Sequence, residues 1–451
     1  MTRENHGKQK TNQGTIYLMN KILNANSKGF DNQLSYYLGL RKKNSNMEAS
    51  SVRKILNDIK KGNDSSIIKY EKKFNRLKNL RKKDLCFSSS EIQKNINLLN
   101  ERTKKDINLA YNRILNFHKN QKIRTFSTTD KFKNRFSYRT VPIEKIGVYV
   151  PGGKASYPSS VLMNCIPAIV AGVPEIFMTV PSLNKKINPG ILYAAKKCGV
   201  KKIYKLGGAQ AIAAFAYGTE TVQKVDKVVG PGNQYVSLAK KEVFGEVGID
   251  MFAGPSEVTV IADKYSNPKW IAADLIAQAE HDELSQSILV TNNKELIYKV
   301  NKCLSFQIAL LPKYKIIKSS LKNFGLAIFA KNMRDVANVV NKIAPEHLEI
   351  CTKKPENYLK LINNAGSIFL GSFSPEAMGD YLAGPNHVLP TSGTARFSSG
   401  LSVLDFLKRQ SVIKISKSGI ERLGPSVINL ANYENLHGHA SSVRMRIKGK
   451  N

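Results

Sequence analysis

From about residue 137 onward, the sequence alternates short apolar strands with helical stretches, separated by sharp turns rich in glycine and proline. The predicted strands include IGVYV, EIFMTV, KIYKL, KVDKVV, SEVTVIAD and SQSILVT, and the predicted helices include VLMNCIPAIVAG, AIAAFAYG and PKWIAADLIAQAEHDE. Strands that alternate with helices of about 10–15 residues form βαβ units and parallel sheets. The chain is therefore predicted to be an α/β protein whose ligands bind at the carboxyl ends of the strands, where the glycine-rich turns cluster.

The segments on either side of this region have a different character. Residues 1 to about 48 are polar, and two helical stretches follow, SSVRKILNDIKKGNDSSIIKYEKKFNRL and EIQKNINLLNERTKKDINLAYNRILNFHKNQ. Their apolar residues recur at helical spacing. After residue 390 the sequence is rich in loop residues, and its end is predicted to form a small helical tail.

Composition bears on compartment and partners. No run of about 18 apolar residues is present, so no membrane span is expected, and the first residues lack the apolar stretch of a secretory signal. The net charge of +36 could indicate nucleic-acid binding. However, the lysines lie among Asn, Ile and Ser without interleaved aromatics, which favours a solvated basic surface and no nucleic-acid partner. The cysteines are widely spaced, which favours reduced thiols in a cytoplasm; they are Cys86, Cys165, Cys198, Cys303 and Cys351.

Histidines beside carboxylates and amides form the candidate metal site. Five of the seven histidines lie in the last third or so of the chain, each near another polar side chain. The groups are Gln278 with His281, Glu346 with His347, Asp380 with His387, and Glu434 with His437 and His439. Imidazoles and carboxylates without nearby cysteines suit zinc at an open, catalytic site. The residues alone thus predict a metal-assisted α/β enzyme.

The glycine-rich turns do not by themselves predict a nucleotide. GPGNQY contains G-x-G without a third glycine at the required position, and GGAQAIAA also lacks the dinucleotide fingerprint G-x-G-x-x-G. A phosphate-binding loop of the form G-x-x-x-x-G-K-[ST] is absent from the sequence. Tight turns without a ligand explain these patterns equally well.

Taken in chain order, these segments resemble the histidinol dehydrogenase family. The matching motifs cover about residues 19–446; they are YVPGG, GGAQAIAAFAYGTE, VGPGN, DMFAGPSEV, AQAEHDE, APEHLE, AGSIFLG, GDYLAGPNHVLPT, ARFSSGLSV and a terminal E-x-x-x-x-H. The resemblance implies a zinc-dependent enzyme that oxidises L-histidinol to L-histidine through bound histidinaldehyde. Two NAD molecules would be reduced in each turnover, as the last step of histidine biosynthesis.

The resemblance also implies roles for individual residues. One zinc per subunit would be held by Gln278, His281, Asp380 and His439, with His439 supplied by the second subunit of a homodimer. His347 would be the base in both hydride transfers, and Glu346 would activate water. Substrate would contact Ser256, Gln278, His281, His347, Asp380, Glu434 and His439. NAD would contact Tyr149, Gln210 and Asn233.

The predicted organisation has two Rossmann-like parallel-sheet domains and a tail. The first domain combines residues 19–148 with 257–390, including the N-terminal helices, and carries the zinc and catalytic residues. The second, 149–256, carries the turns that contact NAD, and residues 391–451 complete the partner subunit's site. Residues 1–18 match nothing in the family.

Other interpretations stay open at this point. A related zinc-dependent dehydrogenase could act on another amino alcohol or a sulfonated diol, and a basic nucleic-acid-binding protein could carry a vestigial site. A thiohemiacetal route through Cys165 is disfavoured because this residue lies in an apolar helical run, where thiols are usually inert. His387 is expected to orient the site or substrate, His437 to be a solvated neighbour, and His6 and His118 to lie on the surface.

Overall fold

The computed structural model describes residues 18–42, 46–75, 80–121, 125–152, 157–182, 187–252 and 254–448. The predicted N-terminal extension, apart from residue 18, lies outside these ranges, as does His6. Among the described residues, no helix is both long enough and apolar enough to cross a membrane.

Three sheets and the helices between them make up the described part of the chain. The strands are β1 (Ile22–Asn24), β2 (Ser127–Thr129), β3 (Arg135–Pro142), β4 (Lys145–Tyr149), β5 (Glu175–Thr179), β6 (Lys202–Tyr204), β7 (Lys227–Val229), β8 (Gly248–Ile249), β9 (Glu257–Ala262), β10 (Gln286–Thr291), β11 (Leu326–Phe329), β12 (His347–Cys351), β13 (Ser367–Leu370) and β14 (Leu407–Lys414). The helices are α1 (Phe30–Gly39), α2 (Asn46–Asn75), α3 (Ser89–Ile96), α4 (Glu101–His118), α5 (Pro158–Ala171), α6 (Pro189–Lys197), α7 (Gly208–Tyr217), α8 (Gln234–Val243), α9 (Pro268–Ala279), α10 (Lys294–Ile308), α11 (Tyr314–Phe324), α12 (Met333–Ile343), α13 (Glu356–Leu359), α14 (Glu376–Tyr381), α15 (Lys417–Tyr433) and α16 (His437–Lys448).

The five-stranded sheet has the order β6-β5-β4-β7-β8, and all its pairs are parallel. The side chains of its helix α7 from residue 209 to 216 are apolar except for Gln210, and all of them are buried. A Cβ on Gly147 of β4 would lie 2.5 Å from the ring of Phe215, so a glycine in the strand lets this helix pack closely. The alternation of strands and helices predicted from the sequence is confirmed.

Helices α2 to α4 pack on the five-stranded sheet, whereas the predicted division placed them with the other sheet. Ile55 and Ile59 of α2 share a buried cluster with the alanines of α7. Ile107 and Ile114 of α4 lie in the cluster formed by α5 and α6. The apolar stripes of these helices are covered by the helices of the five-stranded sheet, and this contact decides where they belong.

The six-stranded sheet is also parallel, with the order β1-β11-β10-β9-β12-β13. Strands β9, β10 and β12 are buried at every residue, as central strands of a parallel sheet are. The two Rossmann-like sheets are thus present, as predicted. Residues 250–256 connect β8 of one sheet directly to β9 of the other. In the chain, this connection leads from the carboxyl edge of the five-stranded sheet to the amino edge of the six-stranded sheet.

A third, antiparallel sheet anchors the C-terminal tail, and the sequence did not predict it. Strand β14 pairs with β3 along its whole length, and β2 pairs with the other side of β3. The buried Asn134 accepts a hydrogen bond from the backbone N of Ser416 at 3.0 Å, where α15 begins. A Cβ on Gly419 would lie 1.9 Å from the Asn134 side chain, so this position requires glycine. The tail is helical, as predicted, and its two helices pack on each other.

Candidate active site

The predicted catalytic residues meet at the amino edge of the six-stranded sheet. His347 is the first residue of β12, Glu346 precedes it, and Ser256 directly precedes β9. Gln278 lies in the last turn of α9, and His281 follows that helix. The prediction that ligands bind at the carboxyl ends of strands is therefore wrong for this cluster.

His347 is held in one tautomer by the backbone. The ring is buried, and its Nδ1 lies 3.0 Å from the carbonyl oxygen of Glu257, so Nδ1 carries the hydrogen and donates it. The other nitrogen, Nε2, has no hydrogen-bond partner among the described residues. Burial, the main cause, lowers the pKa of His347 to about 4, so the ring is neutral at physiological pH. An unprotonated, unpaired Nε2 is what a general base requires.

Glu346 is fixed by the same residue of β9. One of its carboxylate oxygens, Oε2, accepts a hydrogen bond from the backbone N of Glu257 at 2.8 Å. Burial, and after it the nearby Glu257 and Asp380 carboxylates, raises the pKa of Glu346 well above its usual value, against the opposing effect of the backbone hydrogen bond. A carboxylate with a raised pKa is a stronger base than one in water.

A group of metal-ligating side chains lies beside His347. His281, Glu376 and Asp380 each offer a ligand atom, and these atoms lie within 4.8 Å of one another. Nδ1 of His387 lies 3.4 Å from Oδ1 of Asp380. Burial pushes the pKa of Asp380 up, but the hydrogen bond from His387 and the neighbouring imidazoles outweigh it and lower the pKa. His387 therefore favours the charged, ligating form of Asp380.

Unpartnered buried atoms show that this group fits a cation. Oε1 of Gln278 and Oε2 of Glu376 have no hydrogen-bond partner among the described residues. Burial, then the carboxylate of Asp380, raises the pKa of Glu376 well above its usual value. Leaving such atoms unpaired is costly, and a bound cation removes that cost. A set of nitrogen and oxygen donors without cysteine suits zinc.

Sequence reasoning missed Glu376. It lies on α14 four residues before Asp380, so the two carboxylates are neighbours on one helix face. Its Oε1 also lies 3.6 Å from Nδ1 of His347. The i, i+4 spacing of the two carboxylates in PEAMGDY was the signal that could have revealed it.

Two residues assigned to the site lie elsewhere in the single chain. His439 and Glu434 are exposed on the tail, and His439 is not among the groups whose ligand atoms lie close together in the described residues. The neighbouring His437 is exposed too, and its Nδ1 lies 3.2 Å from Oδ1 of Asn432. One chain does not bring the predicted fourth ligand to the other three.

The turns assigned to NAD converge at the carboxyl edge of the five-stranded sheet. Tyr149 ends β4, and its Oη accepts a hydrogen bond from the backbone N of Gly208 at 3.1 Å. Burial raises the pKa of Tyr149 to about 12, so its hydroxyl keeps a proton to donate. Gly230 has φ of +113°, and a Cβ there would lie 2.1 Å from the carbonyl oxygen of Tyr149. Gln210 is buried in α7, and the exposed Asn233 caps α8.

Two further residues test the sequence predictions. His118 was expected on the surface but is fully buried, with Nδ1 2.7 Å from Oε1 of Gln121. It continues the buried stripe of α4, four residues after Ile114, and this spacing explains its burial. Cys165 is buried as predicted, and the adjacent Cys198, together with burial, raises its pKa so that it stays a thiol.

Comparison with known proteins gives a consistent result. Residues 40–447 match the model of the family described as Histidinol dehydrogenase. The histidinol dehydrogenase of Pelagibacter ubique (strain HTCC1062) is 53% identical, covering 96% of this chain and 100% of that protein. The one from Brucella suis biovar 1 (strain 1330) is 45% identical, covering 93% and 97%. The crystal structure of histidinol dehydrogenase from Elizabethkingia anophelis matches with a TM-score of 0.90 at 38% identity, covering 96% of this chain and 99% of that one.

Proposed function

The chain belongs to the histidinol dehydrogenase family, and from that premise we propose that this site oxidises L-histidinol to L-histidine with NAD. The observation that carries the proposal is the unpaired Nε2 of His347, beside Glu346 and the group that fits a cation. The relatives described above are histidinol dehydrogenases, and the match covers nearly their full length. The alternative function, oxidation of another amino alcohol or a sulfonated diol, therefore gains no support.

We propose that zinc is held by Gln278, His281 and Asp380 from one chain. Their donor atoms and the unpaired oxygen of Gln278 support this assignment. When bound, zinc orients the polar groups of the substrate and polarises the reacting oxygen. Glu376 adds negative charge at the same place and is a candidate to contact either the metal or the amino group of histidinol.

In the first oxidation, Nε2 of His347 accepts the proton of the substrate hydroxyl as hydride leaves the adjacent carbon. NAD supplies the hydride acceptor. The bond from Nδ1 to the carbonyl oxygen of Glu257 keeps the ring in place and favours its protonated form during the step. The product is histidinaldehyde, which stays bound.

In the second oxidation, Glu346 accepts a proton from the water that attacks the aldehyde carbon. The protonated His347 returns its proton to the aldehyde oxygen, which gives the hydrate and leaves Nε2 free to act as a base again. His347 then accepts the hydroxyl proton of the resulting hydrate as a second hydride leaves. One water and two NAD are consumed, and the carboxylate of histidine is formed. The hydrogen bond from the backbone N of Glu257 holds the Glu346 carboxylate in place beside His347, which supports this role.

We also propose a homodimer in which His439 and Glu434 complete the partner subunit's site. Support comes from their exposure in the single chain and from the tail, which is anchored at its start by Asn134. The third sheet and the tail also carry large exposed apolar side chains that a second copy could cover. These are Tyr138, Val412, Ile413, Ile415, Leu423, Val427, Leu430, Tyr433, Leu436 and Met445.

The remaining assignments concern NAD and compartment. Tyr149, Gln210 and Asn233 are proposed to contact NAD, which the convergence of their turns supports. The five cysteines are all free thiols in the structure, which supports work in a reducing cytoplasm.

Metal removal tests the zinc assignment. The purified enzyme should contain about one zinc per chain, and chelation should abolish NADH formation, with zinc restoring it. His281→Ala should lose the metal, because it removes one nitrogen donor from the group. His437→Ala, which changes an exposed histidine, is the matched control and should retain both zinc and activity. Metal analysis and a melting curve for each sample complete the test; full activity in a folded, verified metal-free enzyme would refute the assignment.

A further inference from the structure

Glu71 is a buried carboxylate near the C-terminal end of α2. In the sequence, it lies far from the catalytic residues. Its Oε1 accepts hydrogen bonds from the backbone N of Gly207 at 3.1 Å and from Nε2 of Gln210 at 2.9 Å. Asn75 donates to its other oxygen. Burial raises the pKa of Glu71, and these hydrogen bonds oppose that effect. Burying a carboxylate is costly when only neutral groups donate hydrogen bonds to it, so we expect Glu71 to have a function beyond packing.

The hydrogen bond from Gln210 to Glu71 determines the orientation of the side-chain amide of Gln210. The two ends of an amide have nearly the same shape, but Oε1 of Glu71 already accepts a hydrogen bond from the backbone N of Gly207 and is therefore an acceptor. Glu71 therefore selects the rotamer in which Gln210 turns its NH₂ group towards α2 and its carbonyl oxygen away. That oxygen lies beside Gly208, where an added Cβ would be 2.9 Å from it.

Glu71 also holds the turn that precedes α7. The backbone N of Gly207 donates to Glu71, and the backbone N of Gly208 donates to Tyr149. Gly208 has φ of +63°, a conformation that glycine adopts readily and most other residues avoid. Side chains from α2 and β4 therefore clamp the turn from two sides.

We propose that Glu71 is a positioning residue of the dinucleotide site, which presents the carbonyl oxygen of Gln210 to NAD as a hydrogen-bond acceptor. The ligand group that faces Gln210 is then a donor, such as a ribose hydroxyl. This inference rests on the proposed function, in that it takes Gln210 to contact NAD. A side chain held in its binding orientation loses less entropy when the ligand arrives.

Glu71→Gln tests the proposal in the full-length enzyme, because a glutamine has the same shape but permits either orientation of Gln210. We expect the Kd for NADH, measured by fluorescence titration, to rise about tenfold, as for the loss of one hydrogen bond to a buried group. The KM for NAD should rise in parallel, while kcat at saturating NAD and the KM for histidinol change less than about twofold.

Asp64→Asn is the matched control. Asp64 is an equally buried carboxylate on α2, but it accepts from the backbone N and Oγ1 of Thr221, at 3.3 Å and 2.5 Å, away from the turn. It should lower the melting temperature without changing the affinity for NADH. An unchanged Kd in Glu71→Gln, with a raised Kd in Gln210→Ala, overturns the role of Glu71 and leaves the cofactor site intact. An unchanged Kd in Gln210→Ala overturns both.

Should Glu71→Gln fail to fold, Asn75→Ala provides a second route. Asn75 is only half-buried and contacts the other oxygen of Glu71, so its loss loosens the carboxylate without removing it. The Kd for NADH should then rise by about two- to fivefold. An unchanged Kd in folded Asn75→Ala contradicts the proposal.

Discussion

His347→Asn is expected to slow NADH formation by about 10²–10⁴-fold with histidinol and with histidinaldehyde alike. The unpaired Nε2 is the base in both hydride transfers, and asparagine has no equivalent atom. Its amide can still donate to the carbonyl oxygen of Glu257, as Nδ1 does, so the fold should persist. Single-turnover rates with each substrate, at saturating NAD, measure the effect.

Glu346→Gln should separate the two half-reactions. Its carbonyl oxygen can still accept from the backbone N of Glu257, but it cannot take a proton from water. We therefore expect aldehyde oxidation to slow much more than alcohol oxidation. Equal slowing of both steps would contradict the assignment of water activation to Glu346, and normal aldehyde oxidation by His347→Asn would contradict a shared base.

Mixing two inactive variants is expected to restore activity if each site is built from two chains. His281→Ala and His439→Ala each remove one proposed ligand, so neither homodimer should turn over. In a mixed dimer, one site collects both defects, and the other has an intact His281 from one chain and an intact His439 from its partner. Random exchange makes about half of the dimers mixed, so total activity should approach about a quarter of the wild type.

The exposed neighbour His437 is the control for this experiment. His437→Ala should be active alone, because its ring contacts Asn432 and lies outside the proposed ligand set. Subunit exchange should be verified by separating differently tagged chains. Demonstrated exchange without restored activity would mean that His439 serves its own chain, and the shared site would have to be abandoned.

The sequence predicted those helices and strands whose burial produces a recognisable pattern of apolar residues. Strands β9 and β10 are buried on both faces, and their sequences are correspondingly rich in Val, Ile and Leu between turns. Strand β1 has only three residues and β14 is exposed along most of its length, so neither shows an apolar period. Their pairing with β11 and β3 depends on residues far away in the chain, which local patterns do not encode.

The sequence indicated which residues form the candidate site better than it indicated where in the fold these residues lie. In the sequence, other potential ligands lie near Gln278, His281 and Asp380. No local pattern, however, shows at which edge of a sheet these three residues meet. Glu71 gave no signal either, because its partners in the turn before α7, Gly207 and Gln210, lie about 140 residues further along the chain. A buried carboxylate becomes visible only when the packing of α2 on the five-stranded sheet is known.

The yield of NADH from limiting histidinol tests the central claim most directly. With excess NAD and the zinc-loaded enzyme, each histidinol should give two NADH and one histidine, because the same site carries out both oxidations. Absorbance at completion counts the NADH, and chromatography counts the amino acid. One NADH per histidinol with free histidinaldehyde as the product, or no NADH at all, would contradict the four-electron oxidation proposed for this chain.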